Sequence, residues 1–146
     1  MSFIRLIAGR HIFACGIFAA LLLTGAAVAA DEFPFDQQLI LDAAPMRPGK
    51  RMPMLSVAAN GDATIGLWCK SVNARVELSD ATIRIEPGPL PDALPEMMGN
   101  GQCTPERMQA DQDLLALLSQ VTSWQERGGA VVLAGPATLK FRPASN

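Results

Sequence analysis

Gln102-Cys103-Thr104-Pro105-Glu106-Arg107-Met108-Gln109-Ala110-Asp111-Gln112-Asp113-Leu114-Leu115-Ala116-Leu117-Leu118-Ser119-Gln120-Val121 is the stretch whose reading decides the fold class. Thr104 is a good N-cap, Pro105 suits a first helical position because no amide donor is missed there, and Glu106 meets the positive end of the helix dipole. Met108, Leu114, Leu115, Leu117, Leu118 and Val121 fall on one broad face, while Asp111, Gln112, Asp113 and Gln120 fall mainly on the other. The spacing predicts one amphipathic helix over residues 105–121, lying on a sheet.

Moving outward toward the N-terminus, residues 87–102 are rich in proline and glycine, which predicts a long loop with neither helix nor strand. Its Leu90, Leu94, Met97 and Met98 offer apolar contacts without a fixed core role and form a candidate binding loop. Before it, short apolar stretches at 38–41, 54–58, 63–68, 75–78 and 82–86 read as strands, punctuated by Pro48-Gly49, Asn60-Gly61-Asp62 and Ser79-Asp80. Beyond the helix, strands are expected at 123–127, 131–134 and 138–142, with Gly128-Gly129 and Gly135-Pro136 between them. Asp62-Ala63-Thr64-Ile65 recurs as Asp80-Ala81-Thr82-Ile83, and Pro136-Ala137-Thr138-Leu139 echoes it; shared turn-to-strand chemistry explains all three. The expected fold is α+β: an antiparallel, partly open, barrel-like sheet wrapping one amphipathic helix.

The first thirty residues read as a cleavable signal peptide. Arg5, Arg10 and His11 form a short basic region, an apolar run extends from Ile12 to Leu23, and small residues continue to Ala30. Cleavage after Ala29 or after Ala30 satisfies the small-residue rule. A retained anchor needs about 20 apolar residues, more than this run supplies. Lipidation at Cys15 is disfavoured by bulky Phe13 and by an apolar stretch that follows the cysteine instead of preceding it. The domain is then 31–146, periplasmic or secreted, without stable membrane insertion and acting as a monomer.

Of the chain's twelve basic residues, Arg5 and Arg10 leave with the leader. The remaining ten face fourteen acids, a formal charge of −4, which argues against nucleic acid or anionic lipid as a general partner. Cys69 and Cys103 are the only cysteines after residue 30, and in an oxidising compartment they read as a structural disulfide. A redox pair would have Cys-x-x-Cys spacing.

His11 is the only histidine and there is no tyrosine. Without His11, histidine-based catalysis and histidine metal sites are excluded after cleavage, and disulfide-bonded cysteines cannot ligate zinc. Three arrangements remain for chemistry. Lys70 and Ser71 are strand neighbours that point apart; Asp111 and Asp113 diverge on a helix and read as a solvated face; Asn60-Gly61-Asp62 with Asp80 has too few ligands for a calcium loop. No enzyme activity, metal or cofactor is expected. Trp68 and Trp124 read as core, and Arg47, Lys50 and Arg51 cluster about a turn, where they either steer an acidic partner or are simply solvated.

Taken in order, these segments resemble the META domain family of HslJ-like heat-shock and envelope proteins. The residues carrying the resemblance are Gly66-Leu67-Trp68-Cys69 with the strand pair 73–78 and 82–85, the segment Gln102-Cys103-Thr104-Pro105-Glu106-Arg107-Met108, residues 113–124, and the last hairpin at 130–133 and 139–142. Lys70 stands where the family usually has Asn, and the Pro/Gly-rich loop replaces a shorter link. The resemblance implies the same barrel-like fold and an exported protein. Members are linked to envelope stress, drug tolerance, secretion or virulence, with no shared catalytic residues. The expected function is therefore a non-catalytic envelope-stress accessory or protein-interaction module whose partner is an envelope protein or peptide. The alternative is a small secreted inhibitor of a wall- or protein-cleaving hydrolase, with residues 86–102 as its inserting loop.

Overall fold

A computed structural model of the chain describes residues 32–145. The signal-peptide reading of residues 1–30, with its cleavage and lipidation alternatives, lies outside the described residues. The strands are β1 (Leu39–Leu41), β2 (Met54–Val57), β3 (Asp62–Gly66), β4 (Ser71–Ser79), β5 (Thr82–Pro87), β6 (Ser123–Arg127), β7 (Ala130–Ala134) and β8 (Thr138–Pro143); the helices are α1 (Pro95–Gly99) and α2 (Pro105–Leu118).

Each strand pairs antiparallel with the next, and β8 returns to pair with β1, so the sheet closes into an eight-stranded ring. Side chains on a strand alternate between faces. Ala63 and Ile65, Val72 and Val76, Ile83 and Ile85, and Leu139 and Phe141 therefore point inward and form one buried core. Turn chemistry sets the hairpins. Gly61 has φ 87° beside Asn60, whose Oδ1 accepts from the Asp62 amide at 3.0 Å, and Gly128 and Gly129 have φ 61° and 76° between β6 and β7, the positive values a two-residue hairpin requires. The three repeated motifs lie at the starts of β3, β5 and β8.

The ring is least tightly sewn between β5 and β6. A single residue pair, Thr82 with Ser123, joins them, helped by Ile83 N donating to Thr122 O at 3.2 Å and Trp124 N to Ala81 O at 3.0 Å. These two strands are linked by the long segment that carries both helices. In an up-and-down ring the connections that follow β1, β3, β5 and β7 lie at one end, and α2 covers that end, burying Leu114 and Leu118 in the barrel core. The expected α+β barrel-like sheet with one main helix is thus present, with the β5–β6 seam as its opening.

The sequence reading differs from the structure in length and in one element. α2 stops at Leu118, yet Val121 is still buried. β4 begins at Ser71 instead of 75 because Ser71 and Asn73 face outward, where polarity costs nothing. The stretch expected to lack a helix contains α1. Pro95 stands at its first turn and Gly99 at its end, so the residues that would break a helix interior serve here as its boundaries.

Candidate functional site

Cys69 lies in the turn between β3 and β4, and its sulfur is bonded to that of Cys103, just before α2, with Cα atoms 5.0 Å apart. Buried backbone polar groups require partners, and this turn obtains them from side chains on three different segments. The amides of Cys69 and Lys70 donate to Asp111 Oδ1 and Oδ2, each at 3.0 Å. The Trp68 carbonyl accepts from Arg107 Nη2. The Cys69 carbonyl accepts from Arg51 Nη1 at 3.2 Å and Gln102 Nε2 at 3.3 Å, and the Lys70 carbonyl from Arg51 Nη2 at 3.1 Å. The disulfide therefore sits inside a polar clamp.

Asp111 departs most from the sequence reading. It was expected on the solvated face of the helix and is instead fully buried. The reason is local: Arg107, Asp111, Leu114 and Leu118 form one stripe at helical spacing, all buried, and the first half of that stripe meets a turn with bare amides and carbonyls instead of a sheet face. Burial holds the Asp111 carboxyl above the usual carboxylate range, against the opposing pull of the amide hydrogen bonds and the Lys70 charge. Arg107 was not singled out in sequence at all. The i, i+4, i+7, i+11 spacing of these four residues was the available signal, but two charged members hid it.

Arg107 is 1% exposed. Beyond its contact with the Trp68 carbonyl, its Nε meets no acceptor, and among the described residues it forms no ion pair. It lines a cleft of about 550 Å³ between residues 48–51 of the β1–β2 loop and residues 100–102. Lys50 and Arg51 also line this cleft, and no acidic residue does. Of the three cations expected at this turn, Arg51 is committed to the clamp and to Ser71 Oγ at 2.6 Å, while Arg47 and Lys50 are exposed.

The candidate binding loop divides in two. Leu90 packs against the core and Met97 is half-buried, its carbonyl accepting from the Cys103 amide at 2.8 Å. Leu94, the N-cap of α1, and Met98, within it, are 60% and 54% exposed, so each leaves an apolar side chain in solvent.

The other arrangements considered from sequence do not converge. Ser71 Oγ accepts from Arg51. Asp113 is exposed and accepts from Gln109 Nε2 at 2.9 Å, away from buried Asp111. Asp62 is bound by Asn60 Nδ2 at 2.8 Å and Arg75 Nη1 at 2.7 Å. Among the described residues no group of three or more His, Cys, Asp or Glu side chains is placed to hold a metal ion, and no helix is long and apolar enough to cross a membrane. Trp68 and Trp124 are both buried, the latter edge-on to Phe33 with ring centroids 5.2 Å apart.

An antiparallel eight-stranded ring, covered at one end by a helix and stapled there by one disulfide, is the class of protein these features define. The META domain family matches residues 37–146, most of the chain, and the chain belongs to that family. A structure solved by NMR superimposes with a TM-score of 0.51 at 16% sequence identity, covering 73% of this chain and 87% of its own, which supports the fold. A comparison with curated proteins found no match.

Proposed function

We propose that this META-domain protein is a non-catalytic protein-interaction module, exported to the periplasm or secreted, where it serves as an accessory in envelope stress and binds an envelope protein or peptide. The observation that carries the reading is the exposure of Leu94 at the N-cap of α1 and of Met98 within it, a short helix anchored at both ends: Leu90 packs on the core before it and Cys103 is cross-linked to Cys69 after it. An apolar surface on a pre-ordered element loses little entropy on binding. Outside the β5–β6 opening each strand is paired on both sides, which leaves little edge elsewhere for strand addition and supports the same choice. The side chains suited to chemistry are committed elsewhere, Ser71 to Arg51 and Asp111 to the Cys69 turn.

The test is capture of envelope proteins by the protein purified from the periplasm of an expression host, compared with a Leu94→Asp, Met98→Asp variant. The variant is expected to lose the captured partner while its melting temperature is unchanged. Capture of the same partner with equal affinity would move the binding surface off α1. Inhibition of a lysozyme or protease panel at micromolar concentration would identify the protein as a hydrolase inhibitor instead.

A further inference from the structure

We propose that the cleft between residues 48–51 and residues 100–102 binds a small oxyanion, a carboxylate or phosphate group, with Arg107 as its buried cation and Lys50 at its rim. This site is separate from the apolar surface of α1 and stands independently of the interaction reading.

A guanidinium presents five N–H donors and cannot shed its charge, so burying it without an anion is costly unless hydrogen bonds replace the lost water. Arg107 is buried to 1% exposure, yet its Nη2 donates to the Trp68 carbonyl and its Nε has no partner. The nearest acid on its own helix face, Asp111, accepts instead from the Cys69 and Lys70 amides. The charge is thus held in place by the fold and left without a counter-ion by it.

The surroundings match that charge. Lys50, Arg51 and Arg107 line the cleft, and no carboxylate does. Cations of one sign over low-dielectric walls concentrate anions, and a guanidinium fork fits both carboxylate and phosphate oxygens. The volume, about 550 Å³, falls within the roughly 300–1,000 Å³ of small-ligand sites. Asn100, whose Oδ1 accepts from the Gln102 amide at 2.9 Å, also lines the wall.

The test is an NMR titration of the ¹⁵N-labelled protein with inorganic phosphate and, separately, with citrate, against chloride at matched ionic strength. Saturable shifts of the amides of residues 49–51 and 100–102 and of Arg107 Nε, absent with chloride, are expected from at least one of the two. Saturation by phosphate alone assigns a phosphate group, by citrate alone a carboxylate, and by both the shared oxyanion chemistry. Lys50→Glu, an exposed change, should weaken the saturating anion at least tenfold without altering the melting temperature. Absence of saturation by either anion, shifts equal to those of chloride, or an affinity unmoved by Lys50→Glu would overturn the proposal.

Discussion

The carboxylate of Asp111 receives the backbone amides of both Cys69 and Lys70 at 3.0 Å, so the helix grips by hydrogen bonds the same turn that it holds covalently through Cys103. Two independent attachments thus meet at one turn, and they make separate demands on stability.

Removing the acceptor strands two donors. Asp111→Ala should cost roughly 2–4 kcal/mol, from two amides left without a partner in or near the core, while Asp111→Asn, which keeps one acceptor oxygen, should cost about half of that. Urea denaturation of the two variants checks the order; equal losses would mean the carboxylate is not bridging the two amides.

The same group fixes the direction of a pH effect. Its folded-state pKa is raised above the ordinary aspartate value by burial, so between the ordinary and the raised value the folded protein holds more protons than the unfolded chain. By linkage, this residue's contribution is largest at low pH and is lost as pH rises through the folded pKa. The stability difference between the unmodified protein and Asp111→Asn should therefore shrink with rising pH across that window. A difference that stays constant or grows would sink the assignment.

Much of this was legible from the chain, and the failures have one cause. Every strand was found from alternation and turn residues, because a residue such as Ile65, following outward Thr64 in β3, has only one way to face. The helix was found from its leucines. Arg107 and Asp111 were misread or passed over because amphipathic patterning assumes that a buried face is apolar, whereas their neighbour is a turn whose amides need an acceptor and whose Trp68 carbonyl needs a donor. α1 was missed because proline and glycine were read as breakers, without regard to their positions at its two ends.

Replacing both cysteines by serine should cost about 3–4 kcal/mol, the chain-entropy value for a cross-link between residues 34 apart in sequence. Since Asp111, Arg107 and Arg51 still hold the turn, the reduced protein should remain folded. Denaturation with and without reductant, read alongside near-ultraviolet circular dichroism, tests both statements.

Two glycines should respond in opposite ways. A Cβ on Gly135 would stand 2.8 Å from the Gln120 carbonyl and 3.0 Å from Val121 Cα, backbone atoms that cannot step aside, so Gly135→Ala should cost roughly 1–3 kcal/mol. A Cβ on Gly99 meets nothing within 4 Å, and at the end of α1 alanine should be neutral or stabilising by up to about 1 kcal/mol. Thermal melts of the pair provide the comparison.

The pairing of β1 with β8 carries a kinetic consequence. Leu39 lies opposite Pro143 and Leu41 opposite Phe141, and Arg142 reaches Asp42 across a separation of 100 residues. Hairpins such as β4–β5 can form early from local sequence, but this last seam must wait until nearly the whole chain is present, and the loop entropy for closing it is met only then. A chain ending before Thr138 would leave β1 and β7 with bare edges at once, which are templates for pairing between molecules. Truncation there should produce aggregates, whereas in the full-length ring both β1 and β7 are paired with β8.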